Sequence, residues 1–168
     1  MERPADDQLG AGLQGDDRRE ARGAIAITGR TVLDTNVLLA LWLFREPAVQ
    51  PLRAALDAGL IKAVRSAATD AEFAEVLNRP ALFAIAPDRQ AALLDAWQTA
   101  ASLVEAIEPA PWICRDPLDQ KFLDLAVSAG AGWLISRDRD LLKLSRKARR
   151  QGVMIVTPER WVVLAVEI

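Results

Sequence analysis

The stretch from Thr31 to Leu39 constrains the fold more than any other part of the chain. Thr31, Val32 and Leu33 form a short apolar run that ends at Asp34, and apolar residues at helical spacing follow directly. Such a run, bounded by a polar turn, predicts a buried strand of a parallel sheet. Asp34 then lies at the carboxyl end of that strand, where open α/β sheets bind their ligands. The acid is therefore either a helix cap or a residue of a functional site.

The composition excludes several classes of function. With 168 residues and 51% hydrophobic content, the chain is long enough for one domain with a substantial core. Its net charge of −2 creates no general field that would attract nucleic acid or an anionic membrane. The single cysteine excludes a disulfide framework, and the absence of histidine excludes Ser-His-Asp catalysis and histidine-ligated metals. If the chain is an enzyme, we expect carboxylates to carry its chemistry.

The N-terminal segment differs in composition from the rest of the chain. Residues 1–22 are rich in Asp, Arg, Gly and Gln and lack the apolar core of a signal peptide. We predict a disordered extension over residues 1–22 and a single domain over residues 23–168. No apolar run approaches the ~18 residues of a membrane span. We therefore expect a cytoplasmic protein with no membrane partner.

Apolar strand patterns alternate with helical patterns through the rest of the sequence. After the first strand, further strands are predicted at residues 61–65, 103–107, 133–136 and 153–156, with helical patterns between them. This alternation predicts βαβ units joined by right-handed crossovers. The expected fold is α/β, a three-layer α/β/α sandwich with a central parallel sheet of four to five strands.

Four acids fall at equivalent places in this plan. Asp34 and Asp138 each follow a predicted strand, while Glu72 and Asp119 each lie in the first turn of a predicted helix. All four can meet at the edge formed by the carboxyl ends of the strands. Taken singly, Glu72 can complete a capping box with Thr69, and Asp119 can offset a helix dipole. Taken together, the carboxylates would repel one another unless a cation lay among them. Mg²⁺ and Mn²⁺ are the divalent ions that prefer such oxygen ligands.

The segments that carry these acids resemble the motifs of PIN domains, a small metal-dependent ribonuclease fold. The resemblance extends from Thr31 to Trp161 and follows the order of the family's motifs. Its segments are Val32-Leu33-Asp34-Thr35-Asn36-Val37, Glu72 with Val76-Leu77-Asn78-Arg79-Pro80, Arg115 to Ala126, Leu134 to Leu142, and Ile155-Val156-Thr157-Pro158. Four acidic segments in order are far more specific than one Asp-Thr-Asn motif. Within the family, the chain is most similar to the toxins of bacterial toxin–antitoxin pairs.

The resemblance implies a Mg²⁺-dependent endoribonuclease, with Mn²⁺ as the other suitable ion, that pairs with a small antitoxin protein. The sequence leaves the oligomeric state open, and a homodimer is one outcome because small domains with apolar helix faces commonly dimerise. The catalytic and metal-binding acids would be Asp34, Glu72, Asp119 and Asp138. The supporting residues would be Asn36, Asp116, Ser136 and Asp140. Glu75 would replace Glu72 if the helix register differs, and Asp124 is expected to be solvated. A catalytically weak PIN-like module that binds RNA or protein is the alternative function. A phosphatase with Asp34 as nucleophile ranks third, because Asn36 stands where such enzymes carry a second acid.

The basic residues leave two interpretations open. Arg137, Arg139, Arg146 and Arg150 belong to the main basic cluster, which is either an RNA-binding rim or a solvated helix face. Arg137 departs from the family pattern, which has a small residue there, so it either contacts phosphate or obstructs the site. The apolar residues 42–44 are expected to pack in the core or to form a groove for a partner helix. Trp112 is expected to pack in the core, with base stacking as the alternative.

Overall fold

The structure is a computed structural model that describes residues 29–79 and 84–166. The predicted extension at residues 1–22 lies outside the described residues. Five strands form one sheet in the order β3-β2-β1-β4-β5, and every neighbouring pair is parallel. The strands are β1 (Gly29–Leu33), β2 (Ile61–Arg65), β3 (Ala101–Leu103), β4 (Trp133–Ile135) and β5 (Met154–Val156). The predicted α/β class and parallel sheet are confirmed.

Helices connect the strands as the alternating pattern predicts. They are α1 (Thr35–Leu38), α2 (Gln50–Asp57), α3 (Ala67–Leu77), α4 (Pro87–Ala100), α5 (Gln120–Ser128), α6 (Arg139–Leu142), α7 (Ser145–Arg149) and α8 (Pro158–Val166). A π-helical turn, Leu39–Leu43, continues α1, and 3₁₀ turns lie at Pro47–Val49 and Pro117–Asp119.

The sheet separates two apolar cores, which makes the predicted three layers. Along β1, Leu33 packs into one core and Val32 into the other, because successive strand side chains point to opposite faces. Phe73 and Trp97 pack with Leu33, on the face covered by α1 to α4 and α8. Phe122 packs with Val32, on the face covered by α5 to α7. Both faces of the sheet are therefore buried, as is usual for a parallel sheet.

Several local predictions were wrong. The helical pattern between the predicted strands at 133–136 and 153–156 forms two short helices rather than one, because a turn after Leu142 interrupts it. The third strand spans Ala101–Leu103 and therefore shares only Leu103 with the strand predicted at residues 103–107. Trp42 is buried with 6% exposure, as expected of a core residue, whereas Phe44 is 55% exposed. Trp112 is buried, so its ring packs in the core. None of the described helices combines the length and apolar character needed to cross a membrane.

Candidate active site

The four predicted acids line one open pocket of about 500 Å³ at the carboxyl edge of the sheet. Its polar lining also includes Thr35, Asn36, Asp116 and Lys121. The parallel topology explains the convergence, since β1 and β4 are neighbours and both end at this edge. The arrangement that the sequence predicted is present, while the chemical roles of these acids stay a prediction.

Asp34 is the buried acid of the pocket. It follows β1 directly, has 3% exposure and makes no side-chain hydrogen bond to cap α1. The Ser136 hydroxyl donates a hydrogen bond of 2.6 Å to Asp34 Oδ2. Burial raises the pKa of Asp34 above its ordinary value, the hydrogen bond from Ser136 lowers it, and the charge of Glu72 raises it. The net pKa shift is upward, with burial as its largest cause.

Ser136 links the ends of β1 and β4. Besides donating to Asp34, its Oγ accepts a hydrogen bond of 2.9 Å from the backbone N–H of Asp138. Asp138 caps α6, where its Oδ1 accepts hydrogen bonds from the N–H groups of Asp140 at 2.7 Å and Leu141 at 3.0 Å. One buried hydroxyl thus holds two of the four acids in fixed relation. The predicted supporting role of Ser136 has this physical basis.

Glu72 is held by two residues that the sequence analysis did not identify. Thr35 Oγ1 donates a hydrogen bond of 2.7 Å to Glu72 Oε1, and the Lys121 ammonium forms an ion pair with Oε2. The expected capping box of Thr69 and Glu72 was wrong. Ser66 caps α3 instead, and its reciprocal partner is Thr69, so the Glu72 carboxylate is available to the pocket.

Asp119 is the acid of the pocket whose pKa is raised to about 7. It ends the Pro117–Asp119 turn at the start of α5 and is half-buried. Burial comes first among the causes that raise its pKa to about 7, followed by repulsion from Asp138, Asp34, Asp116 and Glu72. Asp116 caps the same turn, where its Oδ1 accepts a hydrogen bond of 2.9 Å from the N–H of Leu118. The acids that line the pocket therefore outnumber the two cations that line it, Lys121 and Arg79.

The chemistry of these side chains fits a hard divalent cation. Carboxylate oxygens are the ligands that Mg²⁺ and Mn²⁺ prefer, and a cation would relieve the repulsion that raises the pKa values of Asp34 and Asp119. Among the described residues, however, no three acidic or cysteine side chains form a ready metal-binding group. The residues are gathered in one pocket, and the acids would have to close further on an ion to bind it.

Three other acids lie at the margin or outside. Asp140 pairs with Lys143 at 2.7 Å, which lowers its pKa, and it does not line the pocket. Glu75 lines the outer part of the pocket but is exposed and pairs with Arg79 at 2.8 Å. Asp124 is not simply solvated, since it accepts a hydrogen bond of 2.8 Å from the N–H of Ala110.

Arg137 forms ion pairs that link separate segments of the fold. Its guanidinium bonds Glu46 at 3.1 and 2.6 Å and Glu159 at 3.0 and 2.5 Å. These ion pairs tie the end of β4 to the segment before α2 and to α8, and they raise the pKa of Arg137. It does not line the acidic pocket.

The remaining basic residues of the prediction are exposed on α6 and after it. Arg139 directly follows the pocket residue Asp138, Arg146 lies on α7, and Arg150 follows α7. None of the three lines the acidic pocket.

Comparison with known proteins supports the same fold. A family model described as "PIN domain" matches residues 30–140. The toxin–antitoxin complex VapBC2 of Rickettsia felis, solved bound to a DNA fragment from its promoter, is similar over 75% of this chain and 96% of that chain, with 11% identity and a TM-score of 0.50. The structure of PAE2754 from Pyrobaculum aerophilum is similar over 89% of this chain and 97% of that chain, with 19% identity and a TM-score of 0.52. A search of curated proteins gives no significant match.

Proposed function

The chain belongs to the PIN-domain family, whose members are generally nucleases, and on that premise we propose that it is a Mg²⁺-dependent endoribonuclease. It hydrolyses RNA phosphodiester bonds and serves in the cytoplasm as the toxin of a toxin–antitoxin pair. The observation that carries this proposal is the convergence of Asp34, Glu72, Asp119 and Asp138 on one pocket at the carboxyl edge of the sheet.

The same four acids are proposed to hold the metal, with Mn²⁺ as a substitute for Mg²⁺. A bound divalent ion supplies positive charge that lowers the pKa of water and stabilises charge on the phosphate and the leaving oxygen. No histidine is available in the sequence to act as a general base. Metal-dependent hydrolysis needs no histidine, so it is compatible with this sequence.

The neighbouring side chains fix the positions of these acids. Ser136 orients the Asp34 carboxylate through its 2.6 Å hydrogen bond. Thr35 and Lys121 contact the two oxygens of Glu72, and a bound cation would compete with the Lys121 ammonium for one of them. Lys121 also places a positive charge in the pocket, where a phosphate group would be attracted. Asn36 and Asp116 line the same pocket, whereas Asp140 would have to act from outside it.

RNA binding is proposed for the basic residues near the site. Arg139 is exposed beside Asp138, and Arg146 and Arg150 continue the positive surface along and beyond α7. Arg137 was also expected to bind RNA. Its guanidinium already makes four hydrogen bonds to carboxylates, so it could contact RNA only if those ion pairs broke. The interpretation in which Arg137 obstructs the site is disfavoured because its guanidinium is directed to Glu46 and Glu159.

The decisive experiment compares cleavage of single-stranded RNA by the wild type and by Asp34→Asn with Mg²⁺, Mn²⁺ or chelator. We expect cleavage by the wild type only with a metal, and a loss of at least ~100-fold in the variant. Asp95→Asn, which changes an exposed acid of α4, is the matched control for contaminating nucleases. Equal cleavage by wild type and Asp34→Asn would refute the proposal.

The alternative is a PIN-like module that binds RNA without cleaving it. The contact of Lys121 with Glu72 favours it, because the ammonium already takes one oxygen of an acid proposed to bind metal. A thermal melt separates the two functions, since Mg²⁺ binding to the folded state raises the midpoint. An unchanged melting midpoint with Mg²⁺, together with metal-independent RNA binding, would indicate the RNA-binding module rather than the nuclease.

The antitoxin and a homodimer are further parts of the proposal. The exposed Phe44, beside the buried Trp42, offers an apolar surface for an antitoxin helix. Co-purification with the product of an adjacent small gene, lost in Phe44→Ser, would support the antitoxin, and sedimentation would give the oligomeric state.

A further inference from the structure

A cavity of about 550 Å³ adjoins the acidic pocket, near the edge strand β3. This side cavity lies between the start of α3, the end of β3 with the segment that follows it, and α5. Ala68 and Lys121 line both the side cavity and the acidic pocket, so the two are direct neighbours. A polymer that occupies the acidic pocket can therefore reach the side cavity with its next unit.

The side cavity exposes large apolar side chains. Leu103, at the end of β3, is 47% exposed, and Ile107, in the segment that follows, is 37% exposed. Val104 lies between them along the chain and is half-buried. Exposed apolar side chains rimmed by polar residues are typical of a ligand-binding groove. Side chains of this kind pack against the flat faces of nucleobases.

Two hydrogen bonds hold the segment that carries Ile107. The N–H of Glu108 donates to Ser128 Oγ at 2.8 Å, and the N–H of Ala110 donates to Asp124 Oδ1 at 2.8 Å. Both acceptors belong to α5, so the segment is fixed to that helix. The cavity is therefore formed before a ligand binds, which lowers the entropic cost of binding.

Glu105 supplies an exposed carboxylate at the side cavity. Asp124 also lines the cavity, but its Oδ1 already accepts hydrogen bonds from Ala110 and Gln120. A carboxylate accepts hydrogen bonds and donates none. Among the RNA bases, only guanine presents two adjacent donors, N1–H and the N2 amino group, on its Watson–Crick edge. Adenine, cytosine and uracil each place an acceptor beside the donor, and that acceptor would repel the carboxylate. A carboxylate here therefore selects guanine.

We propose that the side cavity binds a guanine base of the RNA substrate, in a nucleotide that adjoins the phosphodiester bond in the acidic pocket. Leu103 and Ile107 pack against the faces of the base, and Glu105 accepts hydrogen bonds from its N1–H and N2 amino group. The proposal rests on the nuclease function for its substrate and adds a sequence preference to that function.

Nucleoside monophosphates test the side cavity without any cleavage. The full chain, in chelator, is titrated with GMP, IMP or AMP while NMR follows the methyl resonances of Leu103, Val104 and Ile107. We expect these resonances to shift, with a Kd for GMP on the order of 1 mM. IMP lacks the N2 amino group and should bind about three- to tenfold more weakly. AMP turns an acceptor toward Glu105 and should bind at least about tenfold more weakly. All three ligands carry the same phosphate, so the differences report the base.

Two substitutions separate the edge of the base from its faces. Glu105→Gln should remove the preference for GMP over AMP, because an amide presents a donor as well as an acceptor. Ile107→Ser should weaken the binding of all three nucleotides alike, because it removes apolar contact with the base. Glu108→Gln is the matched control, since it changes an exposed acid of the same segment that does not line the cavity. Thermal melts check that each variant is folded.

Three results of these titrations would overturn the proposal. The first is equal binding of GMP and AMP by the wild type, and the second is a preference for GMP that survives Glu105→Gln. The third is tighter binding of N-acetylarginine amide than of GMP, which would assign the side cavity to an arginine side chain of a protein partner.

Cleavage of two RNAs with Mg²⁺ separates this proposal from that of the nuclease. The substrates are oligouridylate and the same oligomer with one central guanosine. We expect cleavage beside the guanosine to be at least about tenfold faster than cleavage between uridines. Glu105→Gln should abolish that difference and leave cleavage between uridines unchanged. Cleavage that ignores the guanosine would refute the guanine site alone. Absence of cleavage in both RNAs would refute the nuclease, whereas the nucleotide titrations would still decide whether the cavity binds guanine.

Discussion

Removing one carboxylate from the acidic pocket should stabilise the metal-free protein. Asp119 has a pKa raised from its ordinary 3.8 to about 7, first by burial and then by the neighbouring acids. A difference of about 3 pKa units corresponds to at most ~4 kcal/mol. Because Asp119 is half-buried and water screens the repulsion, we expect about 1–2 kcal/mol. Asp119→Asn removes the charge with little change in shape.

The stability that Asp119→Asn gains over the wild type depends on pH. The folded protein keeps a proton on Asp119 up to pH near 7, whereas the unfolded chain loses it near pH 3.8. Between these values the folded state binds more protons, so the wild type loses stability as pH rises. The advantage of Asp119→Asn should therefore be largest at pH 8 and small at pH 5.

Urea unfolding in the presence of chelator measures this difference. At pH 8 the variant should be more stable by about 1–2 kcal/mol in urea. A thermal melt should show a midpoint temperature that is higher by roughly 3–6 °C. Asp95→Asn controls for the loss of an exposed charge. With saturating Mg²⁺ the order should reverse, because only the wild type keeps all four proposed ligands. An equal advantage at pH 5 and pH 8, or a less stable variant at pH 8 in chelator, would refute the reasoning.

Three further substitutions test the contacts around the site. Ser136→Ala should cost about 1–3 kcal/mol in urea unfolding, because Asp34 loses its buried donor, and an unchanged midpoint would contradict that role. Lys121→Met should tighten Mg²⁺ binding about three- to tenfold by calorimetry, because the ammonium no longer competes for Glu72, and weaker binding would show that Lys121 instead orders the site. Ser66→Ala should lower stability by about 1 kcal/mol through loss of the α3 cap, without altering metal affinity.

The site was predictable where an acid follows a strand. Asp34 comes directly after β1 and Asp138 follows β4, and parallel strands carry such residues to a common edge whatever the details of packing. Glu72 was predicted at the correct helix but with the wrong local partner. Ser66 lies three residues before Thr69, and the sequence alone did not show which of two hydroxyls would cap α3.

Side-chain direction was the part that sequence reasoning missed. Lys121 is 49 positions from Glu72, and Arg137 is 91 positions from Glu46, so neither contact leaves a local signal. A lysine two residues after Asp119 and an arginine before Asp138 are equally consistent with solvent exposure, phosphate contact or an ion pair. The packing of α3 against α5 brings Lys121 to Glu72. The tertiary structure likewise brings Arg137, just after β4, to Glu46.

The sequence by itself determined the alternation of strands and helices, the family, and the four acids that follow the strands or open the helices. These features follow from the spacing of apolar residues and from their order along the chain, both of which are visible in the sequence. The tertiary structure decided which charges meet. Ser136 between two acids, Lys121 on Glu72 and Arg137 on Glu46 all depend on distances between remote segments, because electrostatic and hydrogen-bond energies act over a few ångström of space.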